Sequence, residues 1–270
     1  MFPYKLAVFD MDDTLLGPDR TLSPENAAAM RRLRAAGVEV VIASGRHSSN
    51  ITDFEHEIGF SGWIISSGGA AVTHTETGEI LCEMTVPHEL GCELFRRARE
   101  QKISVIGYHR TGIFCDGPSE WIDLYTRRTH QVAIADIPEL ISSGIQKLIW
   151  TTHRDRISQL FPEVQKDYRD EVYMVITEHE MIDFLHPRAN KALATQALAA
   201  KLGIAREDIL AFGDGNNDVP LLEWAGMSIA MAHGRDSARR AAKKISPPGP
   251  PETAVARSVE ALFGESLGDR

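Results

Sequence analysis

Asp10 and Asp12 close the chain's first apolar run, Lys5-Leu6-Ala7-Val8-Phe9, and are followed by Asp13 and the hydroxyl of Thr14. The run reads as a short buried strand, and side chains two apart on a strand point to the same side. Two carboxylates held together repel, so they need a cation or a shared proton. Magnesium takes carboxylate oxygens and keeps several waters. One carboxylate of such a pair can attack phosphorus while the other moves protons. The carboxyl end of a strand is also where open α/β sheets bind ligands. Taken alone, the pair equally suits a strand that stops in a polar turn.

A second apolar run, Ile209-Leu210-Ala211-Phe212, ends in Gly213-Asp214-Gly215-Asn216-Asn217-Asp218. Its glycines permit a tight turn. In one parallel sheet the two strand ends would be neighbours. Two more pieces lie between them. Residues 38–43 are apolar but for Glu39 and run into Ser44-Gly45-Arg46, and Lys191 opens an alanine- and leucine-rich helix over 192–202. A lysine at a helix N-terminus opposes the macrodipole, a local conflict that favours a functional role. The 213–218 loop could hold calcium instead, but it lacks the longer ligand series and terminal Glu of an EF-hand.

Four such motifs in this order resemble the haloacid dehalogenase-like superfamily, in its Cof-type branch of phosphatases with a large inserted cap (type IIB). The resemblance spans most of the chain. It implies an α/β fold: a doubly wound, Rossmann-like parallel-sheet core carrying an inserted α+β cap. It also implies a Mg²⁺-dependent phosphatase working through an aspartyl-phosphate. Asp10 matches the nucleophile, and Asp12 the general acid that later serves as base. Ser44 and Lys191 match the hydroxyl and the ammonium that bind the phosphoryl group. Thr14 and Gly45 fall in the same phosphoryl site, and Arg46 either holds phosphate or, as we prefer, braces the loop. The implied metal residues are Asp10, Asp12 and Asp214, with Asn217 and Asp218 supporting the metal, its waters or Lys191.

The chain departs from the family pattern at several places. Asp13 stands where many relatives carry glycine, Ala192 where glycine usually follows the lysine, and Val219-Pro220-Leu221 where a methionine is usual. Gly68-Gly69-Ala70 replaces a common Asn-Gly-Ala. A side-chain amide is thereby missing from the substrate pocket, leaving Gly68 and Gly69 to offer backbone donors.

These residues need elements to position them. Ser23-Pro24 reads as a cap with proline at the first helical position, and Gly37 as that helix's stop. Helices over 24–36 and 47–58 alternate with strands over 38–43 and 63–66, a βαβαβ order that implies a parallel sheet. Residues 73–83 read as a hairpin leaving the core around Thr77-Gly78. The expected domains are a core of 1–83 and 187–270 and a cap of 84–186. Within the cap, helices are expected over 87–102, 119–129 and 153–167. Strands are expected over 103–108, 113–115, 146–151, 172–176 and 181–185, forming an antiparallel sheet with helices on one face. The core should resume with a strand at 209–213, a helix near 218–225, a strand at 227–231 and helices at 237–243 and 252–263. Pro247-Pro248-Gly249-Pro250-Pro251 reads as a stiff connector.

The 270 residues suggest about two domains. A hydrophobic share of 43% is enough for real cores, and the net charge of −9 disfavours nucleic-acid and acidic-membrane surfaces. Cys82, Cys92 and Cys115 show no paired spacing, which suits reduced thiols and a cytoplasmic setting. No apolar run reaches a membrane span of about 20 residues, and the N-terminus enters a strand without a signal peptide. The expected partner is a small phosphate ester: a sugar phosphate, or a phosphorylated cofactor such as flavin mononucleotide or pyridoxal phosphate. The chain itself is expected as a monomer or weak homo-oligomer. The cap residues expected to touch substrate are Arg110, Lys147 and Asp183, the last lying eight residues before Lys191. His109, Glu178 and His179 are weaker polar candidates, and no zinc spacing is present. Two rival functions are a phosphomutase and a sugar-phosphate-binding regulator with vestigial catalysis. The complete set Asp10, Asp12, Ser44, Lys191 and Asp214 argues against a pure binder. Dehalogenation needs the first Asp but not the second.

Overall fold

The computed structural model describes residues 2–129 and 132–267. It divides into two compact units, Met1–Cys82 with Asn190–Arg270, and Glu83–Ala189. The first unit is built on an eight-stranded sheet. Its strands are β1 (Leu6–Phe9), β2 (Glu39–Ala43), β3 (Trp63–Ser66), β4 (Ala71–His74), β5 (Ile80–Glu83), β12 (Ile209–Gly213), β13 (Met227–Ala230) and β14 (Lys244–Ile245). They lie in the order β14-β13-β12-β1-β2-β3-β4-β5. From β14 to β3 every pairing is parallel, and β4 runs antiparallel to β3. Phe9 is level with both Phe212 and Ile42, so Asp10, Ser44 and Asp214 leave the sheet at one edge.

Alternation along the strands fills two cores. Ala7, Phe9, Val40, Ile42, Leu210 and Phe212 face one side, while Leu6, Val8, Val41, Ala43, Ile209 and Ala211 face the other. The first side is covered by α1 (Pro24–Ala35), α2 (Ser49–Ile58) and α10 (Ala254–Leu267), the second by α7 (Lys191–Leu202) and α8 (Val219–Trp224). Burial on both faces explains why these strands read as unbroken apolar runs. The Ser23 hydroxyl accepts the Asn26 N–H at 3.1 Å to start α1, and Gly37 leaves it at φ +84°.

The second unit carries a six-stranded sheet of β6 (Ser104–His109), β7 (Gly112–Cys115), β8 (Ala133–Ile134), β9 (Ile145–Thr151), β10 (Tyr173–Val175) and β11 (Met181–Leu185), ordered β10-β11-β9-β6-β7-β8. All its pairings are antiparallel except β7 with β8. One face packs α3 (His88–Glu100), α5 (Ile137–Ser143) and α6 (Arg154–Tyr168) through Leu94, Ile141 and Val164 onto Trp150 and Phe184.

Three expectations are corrected. The 73–83 hairpin does not leave the core, because β4 and β5 extend the core sheet at its edge. The second unit's helices do not all share one face, since α4 (Glu120–Thr129) sets Ile122 and Tyr125 against Ile106, Tyr108 and Ile149 on the other. The seven-residue α5 was not expected at all. It is too short to show a helical period, and its only signs were Asp136, which caps the Glu139 N–H at 3.2 Å, and Pro138.

One close approach fixes where α7 begins. Gly69 follows β3 at φ +104°, and a Cβ there would lie 2.4–2.9 Å from backbone atoms of Asn190. Asn190 caps α7, its Oδ1 accepting the Leu193 N–H at 2.9 Å. The turn after β3 thus seats the helix that carries Lys191. We expect Gly69→Ala to cost at least about 2 kcal/mol, since backbone cannot yield as a flexible side chain can. Urea unfolding of the two proteins checks this.

Candidate active site

Lys191 is 1% exposed, and its ammonium donates to two carboxylates. One is Asp10 Oδ1, and the other is Asp218 Oδ1 at 2.6 Å. Asp218 is fully buried, and its second oxygen accepts the backbone N–H groups of Asp214 and Gly215 at 3.0 and 2.9 Å. Asp218 thereby shapes the loop after β12 and anchors Lys191 at once. Gly213 makes room for it, because a Cβ there would sit 2.6 Å from the Asp218 side chain. Thr14, also fully buried, donates its hydroxyl to Asp214 Oδ1 at 3.1 Å and ties the β1 loop to the β12 loop.

Carboxylate oxygens of Asp10, Asp214 and Asp218 lie within 4.8 Å of one another. Three acids therefore share one ammonium. Burial, and then the charge of Asp218, hold the Asp10 carboxyl well above the usual range, although Lys191 opposes the shift. The same two causes push Asp214 up to about 7. Burial alone would pull the Lys191 ammonium down, but Asp10 and Asp218 override it and raise its pKa. The cluster is short of positive charge and rich in hard oxygen donors, a chemistry that fits a divalent cation.

Asp12 lies apart from this cluster. Arg46 forks onto its two oxygens at 2.9 and 2.5 Å, and the Asp12 side chain keeps 42% of its exposure. Among the described residues, the carboxylate cluster joins Asp10, Asp214 and Asp218, and the Asp12 side chain is not part of it. Ser44 is buried at the end of β2, where its Oγ accepts the Arg46 N–H at 3.1 Å. A Cβ on Gly45 would meet nothing within 4 Å. Asn217 is half-buried in the β12 loop.

Of the paired glycines, Gly68 has its backbone donor already engaged. Gly68 gives its N–H to the Ser44 carbonyl at 2.9 Å, and Gly69 serves the contact with Asn190, so both have structural duties.

In the second unit the three expected substrate residues all make ion pairs. Lys147 and Asp183 form a buried pair at 3.0 Å, with the ammonium 4.3 Å from the Tyr108 ring centroid. Arg110 reaches Glu83 at 2.6 Å. His109 Nδ1 faces the Thr111 hydroxyl at 2.8 Å, Glu178 is half-buried and His179 is exposed.

The model of the haloacid dehalogenase-like hydrolases matches residues 7–257. The chain belongs to that family. YxeH of Bacillus subtilis (strain 168), provisionally named as a phosphatase, is 27% identical over 241 residues, covering 85% of this chain and 88% of its own. The HMP-PP phosphatase of Cronobacter sakazakii (strain ATCC BAA-894) is 25% identical over 230 residues, covering 85% and 84%. A haloacid dehalogenase-like hydrolase from Bacteroides thetaiotaomicron matches in structure at TM-score 0.84 and 25% identity, covering 96% of this chain and all of its own. A sugar phosphatase of HAD subclass IIB shares the fold at TM-score 0.83 and 18% identity, covering 96% of this chain and 99% of its own. The fold is therefore that of the family's capped subclass, and the enzyme is a phosphoric monoester hydrolase. No helix among the described residues is long and apolar enough to cross a membrane.

Within this hydrolase, reading the sequence missed the stretch after β13. His233 Nε2 donates to the Asp13 carbonyl at 2.7 Å, and the Arg235 N–H donates to the Asp214 carbonyl at 2.8 Å. The one sign in the sequence was Gly234 next to charged residues. Lys191 itself yields a test. Removing one partner of a buried ion pair costs about 3–5 kcal/mol, so Lys191→Met should lose about that much in chelator at pH above 7. The loss should shrink in acid, where protons neutralise the carboxylates left behind. Urea unfolding across pH reads both.

Proposed function

We propose that this hydrolase releases inorganic phosphate from a small phosphorylated metabolite, with Mg²⁺ as cofactor and Asp10 as nucleophile. The observation that carries the reading is the buried ammonium of Lys191 held between Asp10 and Asp218 at the ends of β1 and β12. That contact holds one Asp10 oxygen in place, and the proposed attack uses the carboxylate it orients.

In the first step Asp10 attacks phosphorus, the bond to the ester oxygen breaks, and Asp12 protonates the leaving alkoxide. In the second step Asp12 takes a proton from water, which attacks the aspartyl-phosphate and restores the Asp10 carboxylate. Lys191 and the Ser44 hydroxyl hold phosphoryl oxygens throughout, with Thr14 keeping the β1 loop against Asp214. Asp10 and Asp214 would hold the metal, with Asp218 the third carboxylate in reach and Asn217 beside it. Bound Mg²⁺ would neutralise charge on the phosphoryl oxygens.

The names of the relatives support an organic phosphate as substrate: HMP-PP in one group of relatives and a sugar phosphate in one fold neighbour. We assign the choice among such esters to the second unit, through Arg110, Lys147, Asp183 or the residues they position.

Asp10→Asn keeps the shape of the side chain and removes its nucleophilic charge. We expect turnover of p-nitrophenyl phosphate to vanish while the thermal melt shows a folded protein. Near-normal turnover in the folded variant would exclude the covalent route.

Metal binding should depend on pH in one direction. Asp214, pushed up to about 7, is largely protonated in weak acid, and a metal must displace that proton. Affinity for Mg²⁺ should therefore rise with pH through the range below about pH 7, about tenfold per pH unit for each proton displaced. Calorimetry in two buffers of different ionisation enthalpy should show protons released below pH 7. EDTA should abolish turnover and Mg²⁺ restore it.

A further inference from the structure

We infer that His233 is a positioning residue for the Asp10–Asp12 loop, an inference that rests on the phosphatase reading for its kinetic arm alone. Asp13 stands at φ +57°, in the left-handed region that a non-glycine residue seldom occupies. Such a conformation persists only where the surroundings over-determine it. Here the Asp13 carbonyl accepts a hydrogen bond at 2.7 Å from His233 Nε2, which must carry the proton because a carbonyl oxygen can only accept.

His233 is itself held firmly. It sits between Met231, whose N–H donates to the Gly213 carbonyl at 3.0 Å, and Arg235, whose N–H donates to the Asp214 carbonyl at 2.8 Å. A Cβ on Gly234 would lie 2.8 Å from the Asp214 carbonyl oxygen, so glycine is what allows this approach. Arg239 closes the turn from behind, donating to the carbonyls of Ala232 and Gly234 at 3.2 and 2.7 Å. One stiff turn thus grips the β12 loop by its backbone and the β1 loop through an imidazole. The turn at Asp13 aims the neighbouring Asp12 side chain toward Arg46, and His233 keeps that turn in place.

The ring is exposed, so cutting it back opens no cavity in the core. His233→Ala should leave the melting temperature nearly unchanged. Hydrogen–deuterium exchange over residues 10–16 should quicken in the metal-free variant. With p-nitrophenyl phosphate and Mg²⁺, kcat should fall about tenfold or more while KM stays within about twofold, since misplaced groups cost the chemical step. The strain argument gives a double-mutant cycle. Glycine tolerates a positive φ without a clamp, so the kcat loss caused by His233→Ala should be much smaller in the Asp13→Gly background. It should persist in the Asp13→Asn background, which removes the charge and keeps the side chain. Unchanged exchange over 10–16 would overturn the inference, as would an equal kcat loss in all three backgrounds. A wild type that turns over no ester would sink the phosphatase reading and leave the exchange result to decide the role of His233.

Discussion

The contact on which the rest depends is the Lys191 ammonium buried between Asp10 and Asp218. Burying a charge is costly unless it is paired and hydrogen-bonded. Lys191 meets that condition only if the ends of β1, β12 and α7 converge. Each of the three has its own device. The β1 and β12 ends are adjacent because the strands pair in parallel and in register. The start of α7 is fixed by Asn190 against Gly69. Asp218 is fixed by the two N–H groups of its own loop. An error in any of them would leave an unpaired charge in the interior, so the electrostatics of the site enforce the local fold.

The parallel sheet supplies convergence without long loops. Residues at neighbouring strand ends are neighbours by construction, and the short turns beyond them only aim side chains. That is why the same few turns carry the unusual backbone: Asp13, Ser67, Gly68 and Gly69 all have positive φ near the strand ends. Strain of this kind concentrates where a site must hold geometry that free chain would not adopt. Around Asp214 the backbone is held from both sides, by Asp218 within the loop and by Arg235 from the turn after β13.

Strand ends and their motifs were legible in the sequence, because each buried strand is a short apolar run that stops abruptly in polar residues. The runs at Leu6, Val38, Trp63 and Ile209 show this plainly, and the carboxylates after the first and last of them, Asp10 and Asp214, fall at one sheet edge. What was not legible depended on partners distant in sequence. The engagement of Asp12 by Arg46 requires two loops to meet, and spacing gave only a shared direction for Asp10 and Asp12. Support of Lys191 was one of the roles open to Asp218, but its grip on the Asp214 and Gly215 N–H groups rests on burial that no local pattern reveals. The edge strands β8 and β14, two residues each, carry too little sequence to announce themselves, and the parallel pairing of β8 with β7 has no local cause. The exchange of Asn for Gly at position 68 pointed to the substrate pocket, whereas the backbone there is committed to Ser44.

Charge explains why so acidic a site suits an anionic substrate. Asp10, Asp214 and Asp218 outnumber Lys191 by three to one, and Asp13 adds a further negative charge that raises the pKa of Asp214. A phosphate dianion approaching that cluster bare would be repelled. Burial first, and the charge of Asp218 next, raise the pKa values of Asp10 and Asp214 in the metal-free chain, so the cluster favours protons where a cation could sit. On the proposed reading, a divalent cation in place of those protons would favour the Asp10 carboxylate and leave Lys191 facing the phosphoryl oxygens. The excess of carboxylates therefore couples substrate binding to metal binding: a cation would offset both the negative charge that repels a phosphate and the burial that disfavours an ionised Asp10.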